Sequence, residues 1–244
     1  MRNVLVTGGS RGVGLGVARK LAGQGYRVIA VARKQGDLLG AAIDEVAASQ
    51  TGGLEFAAFD LAEVDAIPDF VRQLKTRVGG FYGLVNNAAL GTEGLLANMH
   101  NSQIETLIRV NTLSPIVLSK YVVRGMMAKR EGRVVNIASI IASTGYSGLS
   151  VYGATKASMV GFTKSLSREV GRMGVTVNAV APGFMDTDMT QSLDEGHRAQ
   201  IARRSALHRL VEVEDVAEAV AYLMGEGGRY VTGTVLTVDA GSTA

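Results

Sequence analysis

The 244 residues contain no cysteine, only three histidines, no long apolar run and no block of like charge. Without cysteine there is no disulfide framework and no thiolate metal site, and the reducing cytoplasm is the default compartment. His100, His197 and His208 show no metal-ligand spacing, so neither a structural nor a catalytic metal is expected. The chain starts with Arg2 to Thr7, a short strand-like run followed by glycines. That run is too short for a signal-peptide core or a membrane span, so no membrane association is expected. Lysine and arginine number 25 against 22 acidic residues, for a net charge of +3. They are scattered, which argues against nucleic-acid binding and suits a surface that meets an anionic cofactor or an acidic carrier protein. Hydrophobic residues make up 47% and charged residues 19%, the balance of a folded globular chain. With no repeat, linker or low-complexity segment, residues 1–244 are expected to form one domain.

What is present begins with punctuation near the N-terminus. Asn3 to Thr7 reads as a buried parallel strand, followed by Gly8, Gly9, Ser10, Arg11, Gly12, Val13 and Gly14, and then by a helix with apolar residues at Val13, Val17, Leu21 and Ala22. Strand, glycine turn and helix in this order place backbone N–H groups where a pyrophosphate can approach. The second strand, Tyr26 to Val31, ends at Ala32 and Arg33. A carboxylate at this strand end would hold ribose hydroxyls and repel a 2′-phosphate. Ala32 offers none, and Arg11 and Arg33 can clamp that phosphate or stand solvated, so NADP(H) is the expected cofactor.

Further along, the third strand closes on Asp60 and Leu61, where the carboxylate can accept from an adenine amino group or cap the next turn. The strand from Gly83 ends in Asn86, Asn87, Ala88 and Ala89, small or amide residues suited to close contact with a cofactor. Ser102 to Lys129 reads as a long helical region, bent near Pro115, in which Asn111 either holds a water or ties down the bend. Residues 184–210 are polar and irregular, as in a substrate-binding loop or lid.

The chemistry is concentrated in Ser150 to Lys156. If Tyr152 lies in the first turn of a helix, Lys156 shares its face with Cβ atoms about 5–6 Å away. A neighbouring cation favours the phenolate and lowers the tyrosine pKa, so Tyr152 can exchange a proton with an alcohol or carbonyl oxygen. Ser139 ends the preceding strand thirteen residues earlier.

Taken together, residues 7–14, Asn86 to Ala89, Asn111, Ser139, Tyr152 with Lys156, and Ala181 to Gly183 resemble the short-chain dehydrogenase/reductases over essentially the whole chain. Within that family, residues 182–190 and 231–233 are most similar to the 3-oxoacyl-[acyl-carrier-protein] reductases of fatty-acid synthesis. The resemblance implies a Rossmann-type doubly wound sheet of seven mainly parallel strands with helices on both faces. It also implies roles: Tyr152 as proton donor, Ser139 as the residue that orients the carbonyl, Lys156 as ribose ligand and pKa modulator, and Asn111 as holder of a water linked to Lys156. Pro182, Gly183, Met185 and Thr187 complete the implied cofactor contacts. Two positions depart from the family: Ala89 stands where a glycine is usual beside the cofactor, and Ala240 replaces the first residue of a late Gly-Gly pair.

The leading expectation is NADPH-dependent reduction of a 3-oxoacyl thioester by a homotetramer assembled through outward apolar residues such as Val122, Met126, Phe162 and Leu166. Reduction of another small ketone is the alternative, and a non-catalytic NADP-binding protein is the third reading. Lys129, Arg130, Arg133, Arg168 and Arg172 form either a carrier-protein patch beside the active-site mouth or a set of cations placed by helix dipoles.

Overall fold

A computed structural model describes residues 1–185 and 195–244. Its centre is one sheet made of β1 (Asn3–Thr7), β2 (Arg27–Ala32), β3 (Gly53–Ala58), β4 (Phe81–Asn86), β5 (Gly132–Ile137), β6 (Val175–Pro182) and β7 (Val235–Val238). The spatial order is β3-β2-β1-β4-β5-β6-β7, and every pairing is parallel. The helices are α1 (Gly12–Gly23), α2 (Gly36–Ser49), α3 (Ile67–Val78), α4 (Asn101–Ile108), α5 (Ser114–Lys129), α6 (Ser150–Val170), α7 (Glu195–Arg204) and α8 (Val213–Met224).

The near-continuous apolar strands follow from burial on both faces. Alternate residues of β1 and β2 divide between two cores. Val4, Val6, Val28 and Ala30 pack with α1, α2 and α8 on one face, and Leu5, Ile29 and Val31 pack with α3 and α5 on the other. Each fully buried aliphatic side chain contributes about 1.5–3 kcal/mol. The chain leaves β3 at one edge and returns to β4 beside β1, so the carboxyl ends of β1 and β4 diverge at a reversal of strand order, where a crevice opens in sheets of this kind.

One expectation is made precise here and another is overturned. The long helical region is interrupted by a π turn at Arg109–Leu113, centred on Asn111 and just before Pro115, whose missing N–H falls at this irregularity. Val122 and Met126 do not face outward: at 1% and 0% exposure they belong to the core beneath α5, and Leu166 packs against the same core. The outward side of α6 instead carries the small residues Ala154, Ala157 and Gly161. Among the described residues no helix is long and apolar enough to cross a membrane.

Candidate active site

The turn after β1 is built for close approach. Gly8 and Gly12 adopt φ of +66° and +52°, and the amides of Gly8 and Gly9 both donate to the Val31 carbonyl, at 2.8 and 3.2 Å. A Cβ on Gly14 would stand 2.1 Å from the Gly8 oxygen and 2.5 Å from Asn87 Nδ2, so only glycine lets α1 start this near the turn. The start of α1 has no side-chain cap and no acidic residue in its first turn. That leaves N–H groups and a positive dipole end for an anion, and the cradle therefore fits a dinucleotide pyrophosphate. Ser10 and Val13 are half-buried along it, and the Arg11 and Arg33 side chains are exposed at its rim.

Across the strand reversal, Thr7 binds the segment after β4. Its hydroxyl accepts from the amides of Asn87 and Ala88, both at 3.0 Å, and the Asn87 carboxamide donates back to the Thr7 and Gly8 carbonyls at 2.9 and 3.3 Å. The far end of the same segment is held by Asn111. Its Oδ1 accepts from the Leu90 amide at 2.8 Å, and its Nδ2 donates to the Leu90 carbonyl at 2.9 Å. Asn111 thus ties down Leu90, with the π turn aiming it inward, and Ala89 is fixed between two clamped neighbours.

Tyr152 and Lys156 lie in the first two turns of α6, and Ser139 stands two residues past the end of β5. The Ser139 hydroxyl accepts from the Ile141 amide at 3.2 Å, capping the short turn that follows. Lys156 is buried, its Nζ 5.7 Å from the Tyr152 ring centre and donating to the Ile137 carbonyl at 2.8 Å. Burial pushes the Lys156 pKa down to about 8. It pushes Tyr152 the other way: desolvation raises the phenol pKa, opposed by the Ser139 hydroxyl. The lowering expected from the lysine spacing is therefore overturned, because a buried phenolate loses more hydration than a lysine turned toward Ile137 returns. A phenol held neutral beside a serine hydroxyl is suited to donating a proton.

Asp60 takes the capping option, its Oδ1 accepting from the Ala62 amide at 2.9 Å, and Leu61 is buried behind it. On the other side of the site, Gly183 follows the end of β6, and Met185 pairs with Val211 in a single parallel bridge. Residues 184–210 hold a helix, α7, and Thr187 lies outside the described residues. The basic residues are not beside this site. Arg130 Nη2 donates to the Arg172 carbonyl at 3.0 Å, so the ends of α5 and α6 do meet, but they meet where β5 and β6 begin. β5 carries the chain about 20 Å from there to Ser139. Arg133 is buried, its guanidinium 5.5 Å from the Tyr82 ring centre.

Several residues escape a reading by motif. Thr155 donates to the Tyr152 carbonyl at 2.7 Å and accepts from Asn111 at 3.2 Å, joining the π turn to the catalytic helix. Beneath the site, the Asn86 carboxamide donates to Asn136 Oδ1 and to Ser119, and Asn136 donates to Thr163, so that α5, β4, β5 and α6 are locked together in a dry interior. Tyr146 stacks at a tilt on Phe184, with ring centres 5.5 Å apart. The polar residues in otherwise apolar strands were a usable signal for Asn86 and Asn136, while Tyr146 and Phe184 are related only through the fold.

Residues 8–243 match the family model described as enoyl-(acyl carrier protein) reductase. The 3-oxoacyl-[acyl-carrier-protein] reductase FabG of Vibrio harveyi is 40% identical over 238 residues, which cover 97% of this chain and 95% of that protein. The enzyme of the same name from Haemophilus influenzae is also 40% identical over 238 residues, covering 97% and 96%. Among solved structures, a short chain dehydrogenase from Burkholderia cenocepacia J2315 in complex with NADP superposes with a TM-score of 0.91 at 34% identity, covering 100% of this chain and 98% of that one.

The buried lysine sets a pH signature. A lysine whose pKa falls from 10.5 to about 8 on folding costs about 3 kcal/mol of stability at neutral pH, and the cost is relieved as pH rises from 8 toward 10.5. Lys156→Met should abolish turnover yet unfold at higher urea concentration than the parent at pH 7, with the two curves converging near pH 10. An equal or lower midpoint at pH 7 would show that the Ile137 bond outweighs desolvation.

Proposed function

The chain belongs to the short-chain dehydrogenase/reductase family, and on that premise we propose that it is a cytoplasmic NADPH-dependent reductase of 3-oxoacyl thioesters, acting on acyl-carrier-protein substrates in fatty-acid synthesis. The observation that carries the reading is that Tyr152, with Lys156 buried behind it and Nζ 5.7 Å from its ring centre, follows the end of β5, next but one in the sheet to the strand that ends in the glycine cradle. A bound nicotinamide supplies hydride; the chain supplies position and the proton. Ser139 donates a hydrogen bond to the substrate carbonyl oxygen and Tyr152 delivers its phenolic proton to the same atom. With the cofactor bound, Lys156 would hold its ribose and supply a proton to replace the one that Tyr152 gives up. Asn111 acts through Leu90 and Thr155, fixing both walls of the crevice, while holding a water linked to Lys156 is the family's role for this position. The cofactor contacts are assigned to Gly8 through Gly14, Arg33, Asp60, Leu61, Asn87, Ala88, Pro182, Gly183, Met185 and Thr187.

The family description names reduction of a carbon–carbon double bond, whereas the named relatives reduce a ketone. A phenol suited to handing its proton to an oxygen favours the ketone. NADPH oxidation should therefore be seen with acetoacetyl thioesters and not with crotonyl thioesters. Because Ala32 offers no carboxylate and Arg33 is free to meet a 2′-phosphate, kcat/KM should favour NADPH over NADH by at least about tenfold, and Arg33→Ala should remove most of that ratio. Equal values for the two cofactors, or an unchanged ratio in the variant, would refute the assignment.

We further infer a homotetramer that pairs α6 with α6 of a neighbour. Gly161 lies in the middle of a 21-residue helix with nothing within 4 Å of its would-be Cβ. A mid-helix glycine costs about 1 kcal/mol against alanine, and among the described residues no close neighbour requires it. Antiparallel pairing about a twofold axis would bring the Arg130–Arg172 end of one α6 near the Tyr152 end of the next, so the basic patch would serve the partner's site. Gly161→Arg should give a smaller species by light scattering with a raised KM for carrier-protein substrates. A full-size assembly in this variant would rule out the proposed face.

A further inference from the structure

The last residues of the chain form a knot on a buried carboxylate. Asp239, 8% exposed, accepts from the Gly241 amide at 2.9 Å through Oδ1, and from the Thr243 amide at 2.9 Å and the Thr243 hydroxyl at 2.6 Å through Oδ2. Its own carbonyl accepts from Ser242. These bonds hold Ala240 and Gly241 at φ of +55° and +77°. For Ala240, a residue with a Cβ, that conformation is strained and must be held from outside.

Two separate pieces of chain are seated on this turn. Leu207 and Ala206 donate to the Ala240 and Gly241 carbonyls at 3.0 and 3.4 Å, just after α7. Gly183 donates to the Val238 carbonyl at 2.8 Å, and a Cβ on Gly183 would fall 2.8 Å from the Asp239 Cα. The two pieces then meet each other: the Val211 amide donates to the Phe184 carbonyl at 3.2 Å beside the Met185–Val211 bridge. Phe184 stacks on Tyr146, six residues before Tyr152. A continuous series of main-chain contacts thus links the Asp239 carboxylate to an aromatic pair on the loop that leads into the catalytic helix.

We propose that Asp239 is a positioning residue for the reaction: by folding the C-terminal turn it fixes the Pro182–Met185 segment and with it the placement of Phe184 against Tyr146. The kinetic part of this inference rests on the reductase reading above, while the coupling itself does not. A carboxylate is needed because donors meet both of its oxygens, so an amide in either orientation would turn its NH₂ toward a main-chain N–H, that of Gly241 or that of Thr243.

Hydrogen exchange and kinetics on Asp239→Asn and Thr243→Val test it. Exchange should accelerate in peptides covering 183–185 and 205–211 and stay unchanged in β4 and β5. KM for NADPH and for acetoacetyl thioester should rise about tenfold in Asp239→Asn with kcat within about twofold, and Thr243→Val should show the same pattern at smaller size. Thr243→Ser, which keeps the hydroxyl, should restore the parent values. Unchanged exchange at 183–185 would overturn the proposal, as would a uniform rise across the molecule with kcat falling at constant KM, the mark of plain destabilisation. Should Asp239→Asn fail to fold, Thr243→Val, which removes one bond of three, decides. A parent enzyme inactive on acetoacetyl thioesters would sink the reductase reading alone, since the exchange result does not depend on substrate.

Discussion

The seam between β1 and β4 is the constraint from which the site derives. Strand order reverses there, so the helices that follow the two strands lie on opposite faces and the strand ends diverge between them. A crevice at the edge of a sheet exposes main-chain N–H and C=O groups that have lost their ladder partners, and these must be satisfied some other way. Thr7 and Asn87 do this across the seam, and Asn111 does it for Leu90. The same bonds fix the glycine cradle against the β4 segment. Local satisfaction of the backbone and preorganisation of a binding surface are one set of hydrogen bonds here.

Behind that surface, burial governs the titratable groups more strongly than their spacing does. Lys156 and Tyr152 are four residues apart and close, yet desolvation moves both toward their neutral forms, the lysine down and the tyrosine up. In the protein without cofactor this leaves a neutral phenol and a lysine that titrates near physiological pH. An anionic or hydroxylated ligand beside Lys156 would favour its ammonium, and that ammonium would in turn favour the phenolate. The proton chemistry is thereby coupled to occupancy of the cradle. A neutral phenol is the form that can hand a proton to a carbonyl oxygen, and the phenolate the form that can take one from an alcohol.

How much was legible in the sequence follows from the range of each interaction. The strands and most helices were readable, because apolar runs bounded by glycine and polar residues reflect burial on two faces, and Gly8 to Gly14, Ser139, Tyr152 and Lys156 were found since each sits at a strand end or first helical turn with a local signature. Asn111 was found but its partner was not, because Leu90 is twenty-one residues away and offers only its main chain. The outward placement of Val122 and Met126 failed for a related reason. Helical periodicity shows that one side of α5 is apolar without saying whether the sheet or a partner covers it, and here the sheet does. Of the basic patch, Arg130 and Arg172 do meet, but at the opposite end of the sheet, and Arg133 is buried against Tyr82 instead of joining them. Helices that return the chain to the starts of parallel strands necessarily finish opposite the catalytic edge.

The same difference in range explains why chemistry is easier to read from this chain than substrate. The proton donor, Ser139 and the cradle are carried by short segments whose sequence is constrained by what they do. The Tyr146–Phe184 pair is not: Tyr146 lies in the loop before α6, Phe184 follows β6, and the segment of Phe184 rests on the turn at Asp239 near the end of the chain. These residues come together only through the tertiary fold, and a change in any one can be absorbed by the others. A family can therefore keep the donor and the cradle while varying the substrate, by altering contacts such as Gly183 on Asp239 that leave the reacting oxygen untouched. Ala240 is a case of this kind: a strained residue far along the chain from Tyr152, in a turn that supports the segment carrying Phe184.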